Sequence, residues 1–522
     1  MNIVVDKAEP RFAEFRFKEF VNWRMEHGQQ WAVVGPNGAG KSLFTDLLQG
    51  KVALRKGSVK FFDEDGVEQF GVIRSLTFRD IHTLADCKNM YYQQRWNSQD
   101  AEEAPIAATL LSQFSQDKIE EYTKLFGIYN LLERRIISLS SGELRKFLIT
   151  RVLMSEPKVL VLDNPFIGLD ADSRKSLDSM LSHLYEQRGL QVVLVLSQVK
   201  DLPEWITHVL PVKDMTLLQP CTRAEFLVCD DASSTVQVAG GAVSMSVAEQ
   251  LFAQRVEDVA SPVYENRELP YTDVVDMHNV KVKYAGQVIL EGVDWSVQKG
   301  EKWALLGGNG SGKSTLLSLV CGDNPQAYAN DMSLFGRKRG TGESIWDIKR
   351  RIGYLSPDIH TYYMEDIPCL KVVASGFFDS VGLFRKCSEE QIEQAKEWMR
   401  CFGAEYLMER SFVKISYGEQ RLVLLVRAFV KNPELLILDE PLHGLDSGKK
   451  RLAKQIIEQF CSNPEKTLIY VSHYEEEIPA CVTKRKVLRK KGSGVKVKGE
   501  RLKVSIERVT NSDYWGWLTN EE

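Results

Sequence analysis

Two stretches of this chain share a pattern and differ at one chemically decisive position. LVLDNPFIGLD runs from Leu160 to Asp170, and LLILDEPLHGLD runs from Leu435 to Asp446. In each, an apolar run ends in an aspartate, Asp163 or Asp439, placed to hold a divalent cation through water. The next residue is Asn164 in one copy and Glu440 in the other. A carboxylate there can orient or deprotonate an attacking water, whereas an amide has no basic lone pair to take the proton. A second pair follows the same division, since VVLVLSQ ends at Gln198 and TLIYVSH ends at His473. An imidazole can contact a terminal phosphate and the attacking water, while a neutral amide only hydrogen-bonds.

Two glycine-rich loops supply the partner chemistry. GPNGAGKS comprises Gly35, Pro36, Asn37, Gly38, Ala39, Gly40, Lys41 and Ser42. GGNGSGKS comprises Gly307, Gly308, Asn309, Gly310, Ser311, Gly312, Lys313 and Ser314, with Thr315 next. Glycines let such a loop curl its N–H groups inward onto phosphate, and the helix that follows presents its positive end. Lys41 and Lys313 would neutralise outer phosphates, and Ser42 and Ser314 would offer hydroxyls to magnesium. One match could arise by chance. Two matches, each after a buried-type strand and before an apolar helix, read as nucleotide sites.

The elements that must position these groups are themselves duplicated. GQQWAVVG (Gly28 to Gly35) matches GEKWALLG (Gly300 to Gly307), and LSSGE (Leu139 to Glu143) matches ISYGE (Ile415 to Glu419). The pairs Lys41/Lys313, Ser140/Ser416 and Asp163/Asp439 recur in one order at nearly one spacing, which means a duplicated α/β domain with short parallel strands feeding each loop. Trp31 and Trp303, in those strands, are expected in the core. Residues 1–218 and 273–510 form the two domains of this reading, joined by a connector over 219–272 that contains the small-residue stretch CDDASSTVQVAGGAVS and a short helix pattern, SVAEQLFAQRVED. Residues of roughly 79 to 157 and 357 to 434 should be mainly helical inserts, with patterns such as SEEQIEQAKEWMRCFG.

Bulk properties exclude several classes. A chain of 522 residues that is 43% apolar is globular and long enough for more than one core. The opening MNIVVDKAEP lacks a basic lead and apolar core, and no apolar run approaches the ~18 residues of a membrane span, so a soluble, cytoplasmic protein is expected. Nine cysteines without CxxC pairs or metal-like Cys/His spacing suit a reduced compartment and argue against zinc. The net charge of -4 gives no global attraction to nucleic acid, which is not expected as a partner. The basic tail KRKVLRKKGSGVKVKGERLKV reads as an edge hairpin whose lysines discourage aggregation.

A phosphate loop, a helical insert ending in LSSGE or ISYGE, a strand ending in Asp, GLD, and a strand ending in Ser-His resemble, twice over, the motif set of ATP-binding cassette (ABC) ATPases. The stretches NDMSLFGRKRGTGESIWDIKRRIGYLS (Asn330 to Ser356) and IYVSHYEEEIPACVTKR (Ile469 to Arg485) narrow the resemblance to the ModF type of tandem ATPase, historically linked to molybdate transport and photorepair. The resemblance implies two P-loop NTPase domains in tandem, each with a helical insert bearing the signature motif. It also implies MgATP hydrolysis within an intramolecular head-to-tail sandwich. One site would combine Lys313, Ser314, Asp439, Glu440 and His473 with Ser140 and Gly142. The other would combine Lys41, Ser42, Asp163, Asn164 and Gln198 with Ser416 and Gly418. Catalysis falls to Glu440, His473 and Lys313, and magnesium to Ser42, Asp163, Ser314 and Asp439, so one site hydrolyses and the degenerate one mainly holds nucleotide. Tyr284 and Phe12, aromatic residues ahead of the loops, are the candidates to stack on adenine.

One departure bears on partners. The family places a glutamine after the strand that follows the P-loop, where it touches magnesium and relays nucleotide state to a partner domain. IGYLSP puts Pro357 there, IRSLTF puts Phe78 near the equivalent place, and Gln69 is the alternative in a shifted alignment. Two readings follow: an ATP-binding subunit that docks on a membrane permease at the inner face, or a soluble regulator acting on a protein or nucleic-acid partner without transport. The fused pair and the missing glutamine tilt toward the second, and the family name favours the first.

Overall fold

The computed structural model describes residues 1–11, 16–76, 105–136, 139, 141–166, 169, 171–197, 199–228, 271–284 and 287–489. Each half pairs an antiparallel sheet with a largely parallel one. In the second half the parallel sheet runs in the order Ile352–Leu355, Leu435–Asp439, Thr467–Val471, Lys302–Leu306, Lys484–Val487. The first half repeats that order with Ile73–Leu76, Val159–Asp163, Gln191–Leu196, Trp31–Val34 and His208–Lys213, and adds two short strands at its far edge. Runs such as LLILD, QVVLVL and TLIYV have no polar face because both faces are covered, as parallel sheets require, and their residues are buried throughout.

The antiparallel sheets order as Val21–Met25, Asn2–Pro10, Leu54–Phe62, Glu68–Gln69 and as Gln287–Gln298, Asp273–Tyr284, Asp331–Leu334, Arg337–Lys338. In each half a core forms between the antiparallel sheet, the parallel sheet and the helix that follows the glycine loop. Trp31 and Trp303 lie in these cores, each edge-on to a neighbouring tryptophan, Trp23 and Trp295. The glycine loops end in Gly40 and Gly312 at φ 107° and 96°, a left-handed turn that glycine adopts without a side-chain penalty. Helices Lys41–Leu48 and Lys313–Val320 start there. Because the strands are parallel, the loop, Asp163 or Asp439, and Ser197 or Ser472 all emerge at one carboxyl edge, where α/β sheets bind ligands.

The helical expectation for the second insert holds. Glu389–Cys401 is a helix opened by a capping box between Ser388 and Gln391, and it buries Ala395, Trp398 and Met399. Tyr417–Phe429 begins at ISYGE with Ser416 as N-cap and Glu419 completing a second capping box. In the first half, Gln116–Leu125 and Ser141–Leu153 are the described helices of the insert. The expected helix over SVAEQLFAQRVED lies outside the described residues, as do Phe78 and the basic tail beyond Arg489; the tail's opening, Lys484–Val487, is the edge strand of the parallel sheet. No helix among the described residues is long and apolar enough to cross a membrane.

Pro357 does more than fail to be glutamine. It is the first residue of helix Pro357–Tyr362, where its fixed φ and missing N–H are harmless, and Ser356 caps that helix. The helix packs on the start of the signature helix: the His360 ring lies 4.4 Å from that of Tyr417, and its Nε2 is 3.2 Å from the Gln420 side-chain oxygen. Gln69 sits in the edge strand of the antiparallel sheet, and its amide donates to Asp63 at 2.8 Å.

Candidate active site

The two sites differ most in what surrounds the residue after the strand aspartate. Asn164 and Glu440 occupy the same backbone corner, at φ 48° and 50°, and their N–H groups donate to Val195 and Val471 of the neighbouring strands. Glu440 is nearly enclosed between two imidazoles. His473 Nε2 lies 3.0 Å from one carboxylate oxygen and His443 Nδ1 lies 2.7 Å from the other. Burial would push the Glu440 carboxyl up, but the imidazoles of His443 and His473 against its two oxygens hold it well below the usual range. Burial, and then the Glu440 charge next door, raises Asp439 to about 7.

The carboxylate's backbone is pinned from below. Arg421, buried in the signature helix, donates to the carbonyls of Asp439 and Glu440 at 2.7 Å each and to Ser356 at 3.0 Å. Its counterpart Arg145 donates to the Pro165 carbonyl at 2.6 Å, and burial lowers it to about 10 against the opposing pull of Tyr417 and Glu440. A first-half arginine therefore lies within the electrostatic reach of the second half's acid. Lys313 folds its ammonium onto the Gly307 and Gly308 carbonyls at 2.6 and 3.1 Å, and Ser311 Oγ is buried without a partner in the same loop.

At the first loop the amide is fully engaged. Asn164 Nδ2 donates to Asp163 Oδ1 at 2.7 Å, and its oxygen accepts from the Ser197 N–H at 3.2 Å. Ser197 Oγ donates to Asn37 Oδ1 at 3.1 Å, and Asn37 Nδ2 donates to the Gly444 carbonyl of the second half at 2.5 Å. Gly418 meets the same amide, since a Cβ there would lie 1.9 Å from Asn37 Nδ2. The loop of one half and the signature helix of the other are thus in direct contact. Lys41 donates to the Gly35 and Pro36 carbonyls at 2.7 and 2.8 Å. Burial lowers it to about 8, opposed by Asp163 and by Asp446 of the second half. Ser42 Oγ points at Asp163 Oδ2 from 3.4 Å.

Both halves match the ABC transporter family, over residues 19–167 and 290–443. The chain belongs to the ABC family. Among its relatives, the ABC transporter ATP-binding protein ModF of Escherichia coli (strain K12) is 36% identical over 91% of this chain and 94% of its own length. An uncharacterized ABC transporter ATP-binding protein of Schizosaccharomyces pombe is 28% identical over 92% and 96%. A solved archaeal ribosome recycling factor, aABCE1, in complex with the ribosomal stalk protein aP1, covers 92% of this chain at 18% identity and a TM-score of 0.48, matching over 87% of that chain. The protein is a tandem ABC ATP-binding protein with two cassettes of the P-loop α/β fold.

Several expected residues can be placed among these cassettes. Tyr284 ends strand Asp273–Tyr284, half-buried, with its hydroxyl accepting from Asn324 at 2.8 Å. Gly142 lies in the first turn of helix Ser141–Leu153. Phe12, Ser140 and Gln198 lie outside the described residues. Sequence reasoning missed His443 and the two buried arginines. His443 had a signal, because the repeat carries Ile167 at the matching place and the change from apolar to imidazole sits three residues after the acid.

Proposed function

We propose that the chain hydrolyses ATP at the site built on the second cassette's loop and holds ATP at the first. The observation that carries this reading is the contrast around one backbone corner: a carboxylate between two imidazoles at Glu440, and at Asn164 an amide spent on Asp163 and Ser197. Lys313 neutralises the outer phosphates, Glu440 accepts the proton of the attacking water, and His473 contacts the terminal phosphate. Ser140 and Gly142 complete that site, while Ser416 and Gly418 complete the other with Lys41, Ser42, Asp163, Asn164 and Gln198. The hydroxyl and carboxylate that converge at Ser42 and Asp163 are hard oxygen donors and suit magnesium, as do Ser314 and Asp439. When bound, the ion offsets charge on the phosphate oxygens. Tyr284 and Phe12 stack on adenine, and the cassettes occupy 1–218 and 273–510 with a connector between.

The work driven by this hydrolysis is cytoplasmic and acts on a protein partner. A permease is the reading that a relative named as an ABC transporter ATP-binding protein supports, and an oxyanion of the molybdate type is the cargo that the sequence resemblance implies. The short helix at Pro357 supports the other, a soluble regulator, because the segment that would relay nucleotide state outward is packed instead on the cassette's own signature helix. Glu440→Gln is the test. An amide of the same size should cut steady phosphate release by about 10² to 10⁴ while ATP binding persists. Near-full turnover in that variant would remove Glu440 as the base.

A further inference from the structure

The turn after Glu440 brings a second imidazole to the acid, and no role in the chemistry described so far accounts for it. His443 N–H donates to the Glu440 carbonyl at 3.2 Å, which closes a tight turn and lays the His443 ring beside its own acid. Nδ1 then lies 2.7 Å from Oε2, while His473 Nε2 addresses Oε1 from 3.0 Å. A carboxylate gripped at one oxygen can still swing about its last bond. Gripped at both, it has one orientation. The His443 turn is itself held from the other cassette, because the adjacent Gly444 carbonyl accepts the Asn37 amide at 2.5 Å, and Gly444 has a left-handed φ of 76°.

We propose that His443 is a positioning residue for hydrolysis at the second cassette's loop: it fixes the Glu440 carboxylate from the side opposite His473, in a turn that the first cassette's P-loop holds in place. The proposal rests on Glu440 acting as the base. His443 need not touch ATP, since its ring reaches the chemistry through the carboxylate. The first cassette carries Ile167 at the corresponding position and Asn164 in place of the acid, so the imidazole occurs where there is a carboxylate to orient and not where there is none.

The test uses the full chain and three variants, Glu440→Gln, His443→Ala and His443→Asn, each with kcat, KM for ATP and a melting curve. An asparagine amide nitrogen is the same number of bonds from Cα as Nδ1, so it can donate to the same oxygen. His443→Ala should lower kcat by about ten- to a hundredfold, the scale of a misplaced catalytic group, with KM unchanged. His443→Asn should recover most of that loss. A merely structural role would lower both variants' melting temperature and would not be rescued by the amide. If Glu440→Gln is inactive while His443→Ala keeps wild-type kcat, or if the alanine and asparagine variants are equally impaired, the positioning role is overturned and the base is not. If Glu440→Gln itself turns over normally, the reading of Glu440 fails first, and the role of His443 with it.

Discussion

Gly418→Ala should hinder the two cassettes from closing over the first loop. A methyl at this position would lie 1.9 Å from Asn37 Nδ2, 2.4 Å from Asn37 Cγ and 2.6 Å from the Gly444 carbonyl oxygen. Ordinary contacts of this kind sit near ~3.5 Å, so the surfaces must separate by more than ~1 Å. Overpacking of this degree costs about 1 to 3 kcal/mol. The separation also breaks the Asn37 to Gly444 hydrogen bond, worth about 0.5 to 1.5 kcal/mol. Together these amount to roughly 2 to 4 kcal/mol, or about thirtyfold to a thousandfold in the closure equilibrium. Part of the strain stays within the second cassette, because Gly444 belongs to it, and the up to about 1 kcal/mol by which alanine favours helix Tyr417–Phe429 offsets some of that strain. Hydrogen exchange at residues 36–40 in ATP would report closure, and phosphate release would report turnover. Adding Asn37→Ala should recover part of the loss, since it removes the two shortest contacts and leaves only the one to Gly444. Wild-type protection and turnover in Gly418→Ala would refute the argument.

Three further outcomes follow from the same geometry. Tyr284→Ala should weaken ATP binding at the second loop by about 1 to 3 kcal/mol, measured by titration with a fluorescent ATP analogue, if its ring carries the base; unchanged affinity would take Tyr284 out of the site. Lys41→Ala should strip nucleotide from the first loop and slow phosphate release at the second, because the clamp through Asn37 and Gly444 then lacks its ligand; equal turnover with an empty first loop would show the sites to be independent. Arg421→Met should lower stability by about 2 to 5 kcal/mol, since three carbonyls lose their donor in a buried site; a melting temperature within a degree of wild type would contradict that.

The loops, the strand aspartates and the paired signature elements were legible because each has a local cause. A phosphate loop needs glycines for its left-handed turns, a two-sided buried strand needs an unbroken apolar run, and Ser388 with Gln391 announces a helix start within four letters of sequence. The arginines were not legible. Arg145 and Arg421 look like surface residues of an amphipathic helix, and only the fold shows that their guanidinium groups are buried against the carbonyls of Pro165, Asp439 and Glu440. Pro357 was read for what it lacks, a magnesium-binding amide, whereas the structure shows what it starts, a short helix against Tyr417. Contacts that depend on the meeting of distant segments carry no signal in spacing alone.

The amide at Asn164 is best understood through what a carboxylate could not do there. Its corner is the same left-handed one that Glu440 occupies, a conformation that asparagine adopts more readily than glutamate. Glu440 is held in that conformation by Arg421 on its carbonyl and by two imidazoles on its side chain. Asn164 instead uses both ends of its amide, donating to Asp163 and accepting from Ser197, and the line of hydrogen bonds continues through Ser197 and Asn37 to the Gly444 carbonyl. A carboxylate at 164 has no proton to give Asp163, so two anions would face each other at the first link. The residue without a basic lone pair is thus the one that can anchor a chain of contacts reaching, one residue beyond His443, the turn whose imidazole lies against Glu440.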